Sequence, residues 1–232
     1  MTAFEYGPQE RLLRALAEQL KMPLLHIARS AELGGRNRKQ TLDSIAYTAD
    51  MAMQLIDSYL LSTELHSQPS LQLEPVSVSS VMQEVADRLT PLAKQYDQDL
   101  EVSLSGKYGP VMAHRDSLAA AYTMLGYAMI ESQPVGEQRG TVTLGVHKSS
   151  VGLVAGVFGN QEGLTADMFR RARALYGRSR QPLASLSSSA GASIFVADSL
   201  LGAMSTSLRV AHHHKMSGFA ATLSPSQQLQ LV

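Results

Sequence analysis

Hydrophobic positions in the first third of the chain recur at spacings of three and four. Leu13, Leu16, Leu20, Leu24, Ile27 and Ala31 form one series; Ile45, Ala49, Ala52, Ile56, Tyr59 and Thr63 form a second. At about 100° per residue, each series falls on one stripe of a helix. Gly34 and Gly35 interrupt the pattern between them, and a Gly-Gly pair is a turn signal. The pattern therefore predicts two long helices in an antiparallel hairpin. A lone hairpin cannot cover both stripes. Two copies in a four-helix bundle do, so residues 11–64 are expected to form a homodimer.

Beyond a polar, Pro-containing connector from Ser67 to Glu74 the pattern changes. Val76 to Gln95 reads as an amphipathic helix with Val81, Val85, Leu89 and Leu92 on one face. Strands are predicted at Leu100–Leu104, Val111–Ala113, Thr141–His147 and Leu153–Phe158, with Lys148, Ser149 and Ser150 as a hairpin turn. Helices are predicted at Leu118–Ile130, Ala166–Leu175 and Ser193–Leu201, with a Ser-rich loop from Ser185 to Gly191. Two strand-like runs, Ser207–Ala211 and Phe219–Leu223, close the chain. Strands and helices mixed without regular alternation predict an α+β fold, one sheet with helices on a face. Residues 1–66 thus read as the hairpin and residues 67–232 as an α/β sandwich domain.

Composition narrows the function. The formal net charge is zero and no basic tract is interleaved with aromatics, so nothing points to nucleic acid or an anionic membrane. There is no cysteine, which excludes disulfides, thiolate metal sites and a cysteine nucleophile. No apolar run approaches the ~20 residues of a membrane span. The segment from Met1 to Arg11 lacks the basic-then-apolar order of a signal peptide. A soluble, cytoplasmic chain without a membrane-spanning sensor of its own is expected.

The order of elements resembles the bacterial histidine kinase core, a dimerising helical hairpin followed by an ATP-binding sandwich, over about Arg11 to Pro225. Glu18-Gln19-Leu20-Lys21-Met22-Pro23-Leu24 is similar to that family's H-box, His-Glu-Leu-Arg-Thr-Pro-Leu. Leu20, Pro23 and Leu24 match and Lys21 keeps the charge. A proline inside a helix costs about 3 kcal/mol, which makes Pro23 within a continuing stripe informative. The resemblance places the phospho-accepting histidine on Glu18 and its acidic partner on Gln19. A carboxylate has no neutral nitrogen to attack a phosphoryl group, and an amide is no general base. His26 is the substitute acceptor to consider. It lies about 12 Å along the axis and about 80° around from Glu18, off the core stripe. An exposed or flanking histidine is the plainer reading.

The nucleotide motifs depart in the same direction. The N-box, Asn-Leu-x-x-Asn-Ala, falls on Thr123-Met124-Leu125-Gly126-Tyr127-Ala128. The magnesium-holding asparagine is thereby Tyr127, and a neutral phenol is a poor ligand for that cation. The Asp-x-Gly-x-Gly box falls on Gly159-Asn160-Gln161-Glu162-Gly163, which leaves Gly159 where the adenine-binding aspartate would be. The phosphate loop falls on Ser189-Ala190-Gly191-Ala192, where Gly191 alone survives. No cofactor and no metal are expected at the degenerate positions Thr123, Tyr127, Gly159, Asn160, Gly163 and Gly191; ATP and magnesium remain possible only if the altered pocket still binds them.

The run His212, His213 and His214 reads as a solvated turn between the last strands rather than a metal pair. Arg170, Arg171, Arg173, Arg178 and Arg180 read as a solvated face and mobile loop in the lid region, although they could grip an acidic partner or a phosphate. Met51, Met53, Met112, Met124, Met129 and Met204 read as core filling.

The resemblance implies a non-catalytic, pseudokinase-like signalling protein of a two-component system, contacting a response regulator receiver domain or another histidine kinase. The alternative is a divergent histidine kinase or phosphotransfer protein that uses His26. A third reading is an unrelated α+β binding protein whose H-box arose by chance.

Overall fold

The structure is a computed structural model and describes residues 7–33, 38–68, 70–104, 106–133, 139–176, 183, 186 and 190–226. Helix α1 (Pro8–Leu33) continues through Pro23, so the proline does not end a shorter helix. Because Pro23 has no N–H, the Gln19 carbonyl one turn back loses its intrahelical donor. Helix α2 (Arg38–Ser67) returns against α1. The Gly34–Gly35 turn between them lies outside the described residues.

Strand β1 (Glu74–Val76) follows and pairs antiparallel with β3 (Val111–Ala113). The sequence pattern places Val76 at the start of a helix. Instead Val76 pairs with Val111, and helix α3 (Val78–Gln95) begins after Ser77, whose hydroxyl accepts from the Ser80 N–H. A cap of this kind satisfies one of the orphan donors that fix where a helix starts. Val81, Val85, Leu89 and Leu92 form its buried face.

The main sheet has five strands in the order β2-β4-β5-β7-β6. Strand β2 (Asp99–Leu104) runs parallel to β4 (Thr141–Ser149). Strands β5 (Gly152–Gly159), β7 (Met216–Leu223) and β6 (Arg209–His213) extend it antiparallel. Lys148 and Ser149 belong to the β4–β5 ladder, so the hairpin turn is Ser150–Val151 rather than the predicted triplet. Helices α3 and α4 (Arg115–Glu131) pack on one face of the sheet. Helix α5 (Ala166–Leu175) sits beside β6.

Helix α6 (Ala190–Ala203) packs against α4. It starts three residues earlier than the pattern predicts, so Ala190 and Gly191 are buried helical residues rather than loop. Ile194, Phe195, Val196, Ala197, Leu200 and Leu201 are all buried, so apolar side chains point from most sides of α6. The hairpin supplies the missing cover. Leu12 and Leu16 of α1 and Leu55 and Leu65 of α2 are buried, α1 and α2 both pack on α6, and α2 also reaches α4. Small residues bring α2 and α6 close: the Ser62 and Ser199 hydroxyls meet at 2.6 Å.

The hairpin stripes are therefore used differently from the expectation. Leu16 faces the sandwich, but Leu13 and Leu24 are 51% and 60% exposed. On α2, Leu42, Met53, Ile56 and Leu60 are exposed, so Met53 is not core filling. On the sheet's far face Phe158, fully buried, lies over Gly145 and Gly156, where a Cβ would meet its ring, and His213 stacks on it at 5.1 Å. His212 and His213 lie in β6 and only His214 is in the turn, which corrects the expectation that the whole run is a turn, while His212 and His214 are exposed as expected.

Candidate functional site

The residues singled out by the nucleotide motifs fall around the C-terminal half of α4. At one end, Gly159 closes β5. Against it lies Gln133, two residues past α4 and 5% exposed. The Gln133 amide occupies the space that a Cβ on Gly159 would need. It is held at both ends: Nε2 donates to the Met129 carbonyl at 3.2 Å, and Oε1 accepts from the Asn160 N–H at 3.2 Å. The next glutamine, Gln161, donates from Nε2 to the Ser132 carbonyl at 2.8 Å. The Asn160 residue is exposed. Gly163 takes a positive φ of 78°, a conformation that suits glycine, in the turn before α5.

Further back along α4, Thr123 is buried and its hydroxyl donates to the Ala119 carbonyl one turn earlier at 2.8 Å. Tyr127, 3% exposed, reaches the hairpin and donates to Gln54 Oε1 at 2.7 Å. Burial pushes the Tyr127 phenol up to about 12. Tyr47 of α2 lies beside it, and burial pushes its phenol up further still. The Tyr47 hydroxyl is buried next to that of Tyr127.

The third element is the first turn of α6. The first four N–H groups of a helix have no partner within it and form a natural anion site. Ser193 is the fourth residue of α6. Gln19 of α1 reaches this turn: its Oε1 accepts from the Ser193 N–H at 3.1 Å and its Nε2 donates to Ser193 Oγ at 2.9 Å. Gly191 is buried two residues earlier in the same turn, and Ser189 lies outside the described residues.

The structure thus brings Gln19, Tyr127 and Ser193 to one cleft between hairpin and sandwich, and Gly159 and Asn160 to a second point under Gln133. Glu18 faces solvent on α1 and pairs with Lys21 at 2.8 Å. His26 is exposed, with Nε2 3.3 Å from Ser44 Oγ of α2. Of the lid arginines, Arg178 and Arg180 lie outside the described residues. Arg170 pairs with Asp167, as expected of a solvated face. Arg173 does not: it makes a bidentate pair with Asp198 at 2.7 and 2.6 Å and donates to the Leu208 carbonyl, fastening α5 to α6. Among the described residues no cluster of three His, Asp or Glu side chains could hold a metal. Nor is any helix there long and apolar enough to cross a membrane.

No family model and no curated protein matches the sequence. Solved structures do match the fold. A histidine kinase of Acinetobacter baumannii, AdeS, is 12% identical with a TM-score of 0.59, over 90% of this chain and 98% of that one. Full-length ShkA, solved with AMPPNP, is 15% identical with a TM-score of 0.58, over 90% of this chain and 44% of that one. The catalytic domain of histidine kinase ThkA is 8% identical with a TM-score of 0.53, over 66% of this chain and 96% of that domain.

The chain has the histidine kinase core fold.

Within that fold, sequence reading located Glu18, Gln19, His26 and the motif positions, but missed Gln133, Ser193, Gln54 and Tyr47. Gln133 follows a helix end with no periodic signal. The other three gain their roles only when the hairpin folds back on the sandwich, which no local pattern encodes.

Proposed function

We propose that the chain is a non-catalytic histidine-kinase-like protein of two-component signalling, acting in the cytoplasm through contact with a response regulator receiver domain or a sensor kinase. One observation carries this reading. Two of the chain's own glutamines stand where the fold's nucleotide would be handled: Gln133 against Gly159 on the adenine side, and Gln19 on the first turn of α6 on the phosphate side. A magnesium nucleotide does not fit these residues. Entry would require displacing a buried amide tied by two hydrogen bonds, worth about 0.5–1.5 kcal/mol each. Tyr127, already engaged with Gln54, offers only a neutral phenol to a cation that takes carboxylate or amide oxygen.

The same reading assigns a homodimer formed through the hairpin. Leu13 and Leu24 on α1, with Leu42, Met53, Ile56 and Leu60 on α2, leave an apolar stripe exposed in the single chain. A second hairpin would cover it in a four-helix bundle.

Calorimetry with ATP and ADP, with and without magnesium, tests the proposal. The expected result is no saturable heat; tight magnesium-dependent binding overturns it. The exposure of His26 favours one second reading, phosphotransfer through that imidazole. It requires acid-labile phosphate that a phosphorylated partner donates to the wild type and not to His26→Ala.

A further inference from the structure

Between the hairpin and the sandwich lies a cavity of about 250 Å³. Its lining runs from buried to exposed. Leu55 of α2 and Tyr127 of α4 are buried; Met22 and His26 of α1 and Tyr96, at the end of α3, are exposed and mark its mouth. Protein interiors rarely keep a void larger than a water molecule. Here two side chains prop the walls apart. Gln19 reaches from α1 to Ser193 on α6, and Tyr127 reaches from α4 to Gln54 on α2 at 2.7 Å. Collapse of the space would break both ties, so the cavity is built into the docked arrangement.

Two features of the lining select an occupant. The first is its apolar part: Met22, Pro23, Met51, Ala52 and Leu55, all from the hairpin. The two thioethers adapt to irregular shapes. The second is that the polar groups are engaged within the chain. Gln19 and Ser193 hold each other, and Tyr127 holds Gln54. His26 and Gln95 both reach Ser44 Oγ, and Thr48 donates to the Ser44 carbonyl. Glu131 interacts within the chain as well, and no lysine or arginine is among the described lining residues. A charged ligand would give up its water here without gaining a free counter-charge, which is costly. An uncharged apolar ligand loses nothing of the kind, and it gains contacts that an unfilled space forfeits. An engineered apolar cavity of roughly 150 Å³ already takes up benzene.

We propose that this cavity binds an uncharged, mainly apolar molecule of one or two fused rings, seated between Met51 and Leu55 of the hairpin and Tyr127 of the sandwich. Such a ligand touches both parts of the chain. Its binding energy adds to the docked arrangement and is absent from any arrangement in which the two part. The cavity is thereby a point of small-molecule control that does not depend on whether the nucleotide positions are silent.

The test is a titration of the full chain, its methionine methyls labelled for nuclear magnetic resonance, with naphthylmethanol. Naphthylmethylammonium and naphthoate, of about the same size, supply the cationic and anionic comparison. Saturable shifts of the Met22 and Met51 methyls are expected, with a dissociation constant of about a millimolar or tighter. Met112 and Met204, which line no part of the cavity, should stay in place. Both ions should bind roughly tenfold or more weakly than the alcohol. Ala52→Phe, which fills the space, should weaken the alcohol by a similar factor; if that variant does not fold, the wild-type shifts and the order of the three ligands decide. No saturable shift at Met22 and Met51, equal shifts at Met112 and Met204, an ion that binds as tightly as the alcohol, or a folded Ala52→Phe with unchanged affinity overturns the assignment.

Discussion

Gln133 and Gly159 fit together as a side chain and the absence of one: the buried amide of Gln133 fills the volume that any β-carbon at position 159 would claim. Both its polar ends are matched by backbone groups, from Met129 and Asn160. The pair has settled into a packed, satisfied arrangement, and neither residue can be changed alone without cost.

Gly159→Asp, which restores the carboxylate expected of the fold, should destabilise the chain by about 2 kcal/mol or more. It adds overlap in a filled space and buries an unpaired charge. The double variant Gly159→Asp with Gln133→Ala should recover part of that loss, because the space is then free. Urea denaturation of the three proteins measures the difference.

Gln19→Ala should cost about 1–2 kcal/mol, since it removes two hydrogen bonds to the first turn of α6. The loss should be local. Hydrogen exchange at residues 190–193 should quicken while the β4–β5 ladder stays protected. Gln19→Glu keeps an acceptor for the Ser193 N–H and should lose less.

Leu24→Glu and Leu60→Glu place charge on the exposed stripe of the hairpin. Both should convert a dimer to a monomer in sedimentation experiments, with the far-ultraviolet circular dichroism unchanged. Wild-type protein that sediments as a monomer at high concentration would count against the bundle.

His213 supplies a pH dependence. Burial, and then the neighbouring charges of His214 and His147, hold its imidazole below the usual histidine value of 6.5. The folded state therefore takes up the proton later than the unfolded chain does. The stability due to the neutral ring is complete above pH 6.5 and falls as the pH drops through that value toward the lowered one. Denaturation midpoints measured from pH 7.5 downward should decline, and His213→Phe should flatten the decline.

Much of this fold is legible in the sequence, because strong periodicity reports it. The stripe on α3 and the limits of α5 follow from spacing alone, and the strands β4 and β5 from alternation bounded by small residues. What escapes is set by tertiary contact. Val76 looks like the first apolar residue of a helix, yet it is claimed by Val111 across a two-stranded pairing. Residues Ala190 and Gly191 look like loop because serines and glycine precede a helix weakly, yet they are buried in the first turn of α6, which Gln19 of the hairpin ties down at Ser193. The site divides in the same way. The motif positions Gln19, Tyr127 and Gly159 are readable as substitutions against a known pattern. Their replacements' partners, Gln133, Gln54 and Ser193, are distant in sequence and have no pattern to read.

Helix α6 has a further consequence. Because most of its side chains are apolar and buried and two of its neighbours come from the hairpin, the hairpin is a roof rather than a handle. Lifting it away would wet a greasy rod at the centre of the molecule, so signals that reach the hairpin should travel inward as sliding or twisting along α6, with the two parts still in contact. A fragment cut after the second helix should accordingly be sticky and poorly behaved rather than a free-standing domain.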